Sequence, residues 1–471
     1  MSQVGAADNP LRVAIVGSGP AGFYAAEHLL KQEEHAIEVD MFDRLPTPYG
    51  LVRAGVAPDH PKIKSVIRVY EKTAARPGFR FFGNVHIGRE ISALELADRY
   101  HAVIYAYGTA ADRSLGIDGE HFKGSHAATE FVAWYNAHPD FAGHDFDLTA
   151  KRAVVIGNGN VAADVARMLA LTRAELEETD TADHAIEALA KSNIEEIVVL
   201  GRRGPAQAAF TNPEVRELGE MLDADVIVDP ADCKLDEISI ELMESDDANP
   251  TSKRNVEILK GFSERQPEGK RRRIVLRFLA SPIEIRGDGK VEAVVIGRNE
   301  LRRDESGALR ANDTGEREEI ECGLVLRSIG YKGIGLEGLP FDDSGGVIPN
   351  ENGRVMDPET GKQIPGQYAV GWIKRGPSGV IGTNKKDALD TVKSIVEDLV
   401  AERIPEPAGD TSAEAIAELV SKRVPDFVSF GGWQAIDRAE VSRGEPLGRP
   451  RVKFASVEEM LEVARDTGDP H

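Results

Sequence analysis

Twice along this chain a short run of β-branched and apolar residues ends in a glycine turn that opens directly into a helical pattern. Leu11–Gly17 (LRVAIVG) leads into Gly17-Ser-Gly19-Pro-Ala-Gly22 and a helix-like stretch to about Lys31. Ala153–Gly157 (AVVIG) leads into Gly157-Asn-Gly159-Asn-Val-Ala162, with helical apolar spacing over Val161–Leu171. Each reads as strand, glycine turn and helix, the opening of a βαβ unit. Further short apolar runs at Ile37–Phe42, Ala102–Tyr107, Ile194–Leu200, Gly323–Ile329 and Gln367–Val370 read as buried strands. Strands alternating with helices imply parallel sheets and an α/β class. A length of 471 residues suggests two or three domains, at roughly 150 residues per domain.

The turns carry chemistry because of what each glycine permits. Gly17 allows the tight turn, Gly19 lets backbone approach a pyrophosphate, and Gly22 lets helix pack on strand. A helix N-terminus then offers free N–H groups and a positive dipole end to phosphate. Asp43 follows the strand Ile37–Phe42, where its carboxylate would accept hydrogen bonds from a ribose. The second unit differs at that position: Ile194–Leu200 ends in Gly201-Arg202-Arg203. Two guanidiniums there suit a 2′-phosphate, which an acid would repel. The first site therefore suits an unphosphorylated ribose and the second suits NADP. The alternative for Arg202 and Arg203 is a surface ion-pair cluster, and for the first turn a glycine-rich bend without ligand.

Charge and cysteine content narrow the function classes. Lys and Arg total 57 and Asp and Glu 79, a net charge of −22. That field disfavours nucleic acid and anionic lipid as partners. The two cysteines, Cys233 and Cys322, are far apart and form no Cys-x-x-Cys pair. A redox dithiol, a zinc ribbon and a cysteine-ligated iron–sulfur cluster thus lack their usual signature, and no metal site is expected. With no long apolar run and a polar start, the expectation is a soluble cytoplasmic protein. The acidic stretch Leu171–Asn193 reads as an inserted, solvated helical hairpin, and Lys270–Arg273 as a basic run on a solvated loop.

Several motifs together make the resemblance specific. GSGPAGFYAAEHLL, FDRLPTPYGLVRAGVAPDHPKIK, VIGNGNVAADVARMLA, GRRGPAQAAFT, GWIKRGPSGVIGTNKKDA and the C-terminal GWQAIDRAEVSRGEPLGRPRVK occur in that order. The chain resembles the adrenodoxin reductase-type ferredoxin–NADP reductases, of the bacterial kind, from about residue 11 to 465. The resemblance implies a glutathione-reductase-like layout of two Rossmann-like dinucleotide-binding domains. The FAD-binding domain would be discontinuous, 1–108 and 327–471, with the NADP-binding domain inserted at 109–326. It implies FAD and NADP(H) as cofactors, and a ferredoxin-type iron–sulfur protein as the partner of a monomeric enzyme. FAD contacts carry over to Ala21, Asp43, Leu51, Val85, Trp372, Gly379, Val380 and Ile381, beside Gly17, Gly19 and Gly22 of the turn. NADP contacts carry over to Asn158, Gly159, Asn160, Val161, Arg202, Arg203, Glu214 and Gly379. Partner-binding basic residues carry over to Arg216, Lys253 and Arg254. Asp43 is a departure, since relatives often have Glu there.

The residues around these motifs point the same way. Gly376-Pro-Ser-Gly379-Val-Ile-Gly382 precedes a helical pattern over Lys385–Val400, so N–H groups and a dipole end can face the flavin's pyrimidine edge. Reduced flavin gains negative charge there, which such an arrangement stabilises. Trp372 either covers the isoalloxazine ring or packs in a core. Hydride transfer between cofactors needs no nucleophile or metal. His60 either orients the nicotinamide or relays a proton, with Glu214 or Glu217, or it braces a loop between two prolines. Other readings of the layout are a disulfide reductase, a flavin module of a larger complex, or a flavin-binding sensor without turnover.

Overall fold

The computed structural model describes residues 3–246 and 248–465. The outermost ends of the expected flavin domain, 1–2 and 466–471, lie outside the described residues. The chain divides into two units: one holds the segments up to Val56, His60–Arg113 and from Gly330 onward, the other Ala57–Asp59 and Ser114–Ile329.

The first unit is built on a seven-stranded sheet. Leu11–Val16 lies at its centre, flanked by Ile37–Phe42 and Phe79–Phe82 on one side and by Ala102–Tyr105 and Gln363–Ala369 on the other, all parallel. Arg354–Met356 and Asn350–Glu351 add an antiparallel edge. In this order the winding reverses between Leu11–Val16 and Ala102–Tyr105, and a crevice at such a switch point is where α/β sheets bind ligands. The central strands are largely buried because both faces of the sheet are covered. Leu11, Val13 and Ile15 share one core with Ala25, Ala26 and Leu29 of the helix Pro20–Leu29 and with Val392 and Ile395 of the helix Thr383–Val400. Ala14 and Val16 face the other, against Ile91, Leu96, Ile416 and Phe427.

The second unit has a six-stranded parallel sheet centred on Arg152–Ile156. Glu196–Leu200, Arg272–Arg277 and Ala224–Val228 follow on one side, Leu324–Arg327 and Ser125–Ala127 on the other. An antiparallel arm, Ala280–Arg286, Ala293–Arg303 and Leu309–Glu321, rises from this unit. Its base packs Ile285, Val294, Ile296 and Ile320 against Val154, Ile156 and Leu200 of the sheet. Leu279, at φ +53, turns the chain between the parallel strand and the arm.

Two expectations about surface segments need correction. The stretch 171–193 does form two short helices, Arg173–Glu177 and Asp183–Ala190, but only their charged face is solvated. Leu176, Ala185, Ile186 and Leu189 are buried, and a His184 ring nitrogen lies 2.9 Å from the Trp134 carbonyl. The apolar minority in that acidic stretch falls on one face. Nor is Lys270–Arg273 a solvated loop: Arg272 opens a strand and is buried, donating to the Leu171 carbonyl at 2.9 Å. Arg271 pairs with Asp223 at 2.6 Å and Arg273 with Glu196 at 2.7 Å.

Candidate functional site

The first glycine turn is pinned from both sides. Gly17 sits at φ +106, and a Cβ there would meet the Ala106 carbonyl at 2.7 Å. A Cβ on Gly22 would lie 2.2 Å from the Gly17 oxygen. Gly19, by contrast, has nothing within 4 Å of its Cβ position. It is the N-cap of Pro20–Leu29 with extended backbone, no capping side chain and no acid in the first turn. Helices elsewhere in the chain, such as those capped by Ser92, Thr172, Asp236 and Ser412, use a side-chain oxygen there. Leaving this N-terminus open keeps its N–H groups for an anion.

Around that turn the expected flavin residues converge. One Asp43 oxygen accepts from the Ser18 N–H at 3.0 Å and the other from the Leu45 N–H at 3.0 Å, so the carboxylate is fixed and keeps lone pairs to spare. The Val85 N–H donates to the Asp43 carbonyl at 2.8 Å. Gly50, next to Leu51, approaches Gly19 so closely that a Cβ would stand 3.0 Å from its Cα. Gly371 approaches Ala21 more closely still, and a Cβ there would stand 2.6 Å from the alanine methyl. Trp372 is half-buried rather than a core residue, stacked on Tyr331 at 5.5 Å, its indole N–H donating to the Ser378 carbonyl at 3.2 Å. Gly379, at φ +81, Val380 and Ile381 lead into the uncapped helix Thr383–Val400.

Two supports were not legible beforehand. Arg375 donates one bond to Asn384 at 3.1 Å, yet its buried Nε and Nη1 have no partner among the described residues. Buried guanidinium donors of this kind call for acceptor oxygens, which fits a ligand carrying phosphate and carbonyl groups beside the loop 376–382. The C-terminal motif braces the loop 49–53. Buried Glu440 takes Arg53 in a two-pronged pair, Nη1 at 2.8 Å, and the Trp433 N–H donates to the Tyr49 hydroxyl at 3.3 Å. Burial alone would raise the Glu440 pKa, but Arg53 and Arg451 lower it overall, so the pair stays ionised.

The second turn follows the same plan with more room. Gly157 is at φ +137, against the Ser328 carbonyl, whereas the third position holds buried Ala162. Gly159 again caps its helix, Asn160–Ala170, without a side-chain bond. Asn158 and Asn160 tie this turn to the next loop: the Asn158 carbonyl accepts from the Ala209 N–H at 2.9 Å, and Asn160 Oδ1 from the Thr211 N–H at 2.8 Å. Val161 follows in the first turn of the helix. Arg202 and Arg203 line a cavity of about 240 Å³ with Ser281, Leu309, Arg310 and Ala311. Among the described residues no carboxylate pairs with Arg202 or Arg203, so the ion-pair alternative finds no partner. Burial, then the neighbouring Arg202 charge, lowers the Arg203 pKa. Such a pair of cations is suited to an incoming anion.

The other candidates fall in two places. Glu214 is buried on the helix Asn212–Leu218, and Arg167 reaches it at 3.3 Å and Glu217 at 3.7 Å. Arg167 also holds Asp164 at 2.7 Å and Asp59 at 2.5 Å. An arginine on the buried face of a helix was the only signal for this hub. Burial opposes its charge, but these carboxylates raise its pKa overall. His60 belongs to the first unit, where it is the buried N-cap residue of Pro61–Lys64. Arg216 is exposed on Asn212–Leu218, and Lys253 and Arg254 are exposed on Pro250–Ser263. The two helices pack together, with Asn212 donating to the Thr251 carbonyl at 2.9 Å and to Asn255 Oδ1 at 2.8 Å. Arg254 pairs with Glu257 at 2.6 Å.

Comparison with known proteins matches this geometry. Residues 11–198 fit the family described as pyridine nucleotide-disulphide oxidoreductase. The NADPH-ferredoxin reductase FprA of Mycobacterium leprae is 53% identical over 455 residues, covering 96% of this chain and 98% of that protein. The mitochondrial NADPH:adrenodoxin oxidoreductase of Arabidopsis thaliana is 41% identical, covering 98% and 96% of the two chains. A solved structure of Mycobacterium tuberculosis FprA in complex with NADPH superposes with a TM-score of 0.91 at 50% identity, over 97% of this chain and 100% of that one. Likeness of that extent reaches every motif, from the first glycine turn to the C-terminal brace, and the chain belongs to the family of the FprA-type NADPH-ferredoxin reductases.

Proposed function

We propose that this chain is a ferredoxin–NADP reductase that takes electrons from NADPH and delivers them, through FAD, to a ferredoxin. The observation that carries the reading is a pair of open, glycine-turned helix N-termini followed by opposite charges: Asp43 after the first, Arg202 and Arg203 after the second. Hydride transfer and release of single electrons are the chemistry the two cofactors supply when bound. The chain's part is to hold and tune them. The backbone around Gly17, Gly19, Ala21 and Gly22 receives the FAD pyrophosphate, and Asp43 accepts from its adenosine ribose. Leu51, Val85, Trp372 and Gly379–Ile381 bound the flavin, with the open N-terminus of Thr383–Val400 favouring negative charge on its pyrimidine edge. Asn158, Gly159, Asn160 and Val161 receive the NADP pyrophosphate and Arg202 and Arg203 its 2′-phosphate, with Glu214 and Gly379 as the further NADP contacts the resemblance implies. His60 is the candidate proton-handling group. Glu217, 3.7 Å from Arg167, is the second candidate catalytic group.

A disulfide reductase finds no support in the thiols: Cys233 and Cys322 are both free, and Cys322 is buried in a core. No helix among the described residues is long and apolar enough to cross a membrane. The reading takes the enzyme as a cytoplasmic monomer without nucleic-acid or membrane partners. Its ferredoxin meets a net charge of −22, so docking needs a local basic patch, because salt screens charges beyond about 8 Å. Arg216, Lys253 and Arg254 provide it; among the described residues Arg216 and Lys253 pair with no carboxylate.

The test is reduction of a [2Fe–2S] or [4Fe–4S] ferredoxin by NADPH, with the bound flavin identified after denaturation. FAD and NADPH-driven ferredoxin reduction are expected, and FMN or no flavin would overturn the assignment. Arg216→Glu is expected to slow ferredoxin reduction and flatten its salt dependence, while NADPH-driven dye reduction is unchanged. Equal losses with dye and ferredoxin would move Arg216 out of the partner patch.

A further inference from the structure

Beyond the two arginines that the strand end supplies, the cavity in the second unit holds a third from a distant part of the chain. Arg310 opens the last strand of the antiparallel arm, Leu309–Glu321, and lines the same 240 Å³ space as Arg202, Arg203 and Ser281. Among the described residues its guanidinium is held through one edge only: Nε donates to Asp304 Oδ2 at 2.7 Å. The other Asp304 oxygen is fixed in the turn, accepting from the Ser306 N–H at 3.0 Å and the Ala308 N–H at 2.9 Å. One carboxylate therefore anchors the turn and orients the arginine, and the terminal nitrogens of Arg310 are left to donate elsewhere.

Ser281 and Asn299 complete the arrangement. Asn299 Nδ2 donates to the Arg202 carbonyl at 2.9 Å and to Ser281 Oγ at 2.7 Å. Ser281 Oγ is thus an acceptor on the arm side, and its own hydroxyl proton is free to be donated. The same asparagine locks the backbone of the arginine pair to the arm. Three guanidiniums and a hydroxyl around one cavity exceed what a neutral ribose needs and match a phosphate dianion.

We propose that Arg310, oriented by Asp304, is a third cation of the 2′-phosphate pocket, with Ser281 as a hydroxyl donor. The antiparallel arm is then a specificity element for NADP over NAD. This inference rests on the reading of Arg202 and Arg203 as the 2′-phosphate clamp.

The probe is 2′,5′-ADP against 5′-ADP, titrated calorimetrically into the FAD-loaded enzyme and its Arg310→Ala, Asp304→Asn and Arg202→Ala/Arg203→Ala variants. Arg310→Ala is expected to weaken 2′,5′-ADP about three- to tenfold, an exposed arginine being partly screened by salt. Binding of 5′-ADP and flavin content should be unchanged. Asp304→Asn, which keeps the cation but loosens its orientation, is expected to give a smaller loss of the same selectivity. Unchanged 2′,5′-ADP affinity in Arg310→Ala, or equal weakening of both nucleotides, overturns the role of Arg310. If the double arginine variant weakens both nucleotides equally, the underlying clamp reading falls with it. If that variant loses 2′,5′-ADP selectively and Arg310→Ala does not, only the third cation is lost.

Discussion

Gly22→Ala adds a single methyl group at a place where backbone already fills the space. A Cβ at residue 22 would stand 2.2 Å from the Gly17 oxygen and 3.3 Å from the Ile15 side chain. Non-bonded heavy atoms rest at about 3.5 Å or slightly less, so helix and turn must part by roughly 1 Å. The turn cannot yield, because Gly17 at φ +106 is itself pressed against the Ala106 carbonyl. The helix Pro20–Leu29 must therefore lift, and overpacking of this kind costs about 1–3 kcal/mol. The upper end applies, since the group the new methyl meets most closely is backbone. A loss of about 3 kcal/mol corresponds to roughly 6–12 °C for a unit of this size. Lifting the helix also moves its free N–H groups off the pyrophosphate position, so FAD should be lost as well. The measurements are flavin-to-protein ratio after purification and the unfolding midpoint. Ala162→Gly is the control, because the second turn already accommodates a methyl group; it should cost only about 1 kcal/mol of helix propensity and leave flavin content intact. Full flavin occupancy and an unchanged midpoint in Gly22→Ala would refute the steric argument.

Arg202→Ala with Arg203→Ala should raise the KM for NADPH by about a hundredfold or more, at about 1.5–3 kcal/mol per charge-assisted bond, and barely change NADH use; equal effects on both would show that the pair does not read the 2′-phosphate. Cys322→Ala and Cys233→Ala should leave ferredoxin reduction intact, and burial, which pushes the Cys322 thiol up to about 12, should keep it unlabelled by iodoacetamide at pH 8; rapid labelling of Cys322 in folded protein would contradict its burial. Burial pushes the Asp398 carboxyl up, but bonds from Arg354, Gln363, Tyr368 and Arg403 outweigh it and bring the pKa down to about 2. Its stabilisation is therefore complete above about pH 4 and is lost as pH falls toward 2. Acid unfolding followed by flavin release should flatten over that window in Asp398→Asn, and an unchanged profile would count against the network.

What the amino-acid order revealed follows from the range of each interaction. Both glycine turns were legible because their constraints are local: a positive φ at Gly17 and Gly157 and contact within a few residues. Asp43, Arg202 and Arg203 were legible because the end of a strand fixes where the next residues stand. Arg310 and Ser281 were not, since they reach the cavity from an arm distant in sequence from that strand end and tied to it through the Asn299 bond to the Arg202 carbonyl. The same holds for Arg167, whose partners come from residues 59, 164, 214 and 217. Charge content misled at 171–193 and 270–273, where Leu189 and Arg272 are buried despite their acidic or basic neighbours. Composition counts charges, whereas burial depends on which face each residue occupies.

Three helices at the proposed cofactor positions share a choice that weakens them in isolation. Those starting at Pro20, Asn160 and Thr383 all have a glycine at the N-cap and no capping side chain. A side-chain cap contributes typically about 1 kcal/mol over alanine, although glycine itself gives up only a few tenths relative to the good caps. Glycine is thus the least costly residue that leaves the N-terminus uncovered. Ser, Thr, Asp or Asn there would satisfy the same N–H groups that phosphate must reach. Ser429, capping a helix of the C-terminal brace by accepting from the Gly432 N–H at 3.2 Å, shows the opposite choice where no ligand is expected. A side-chain cap closes that supporting helix, whereas the three proposed cofactor-facing helices are left open. Stability withheld at the open ends is restored by the anion itself, because a ligand that binds only the folded form stabilises it by mass action. In this way the glycine that constrains the fold also couples folding of each unit to the nucleotide it holds.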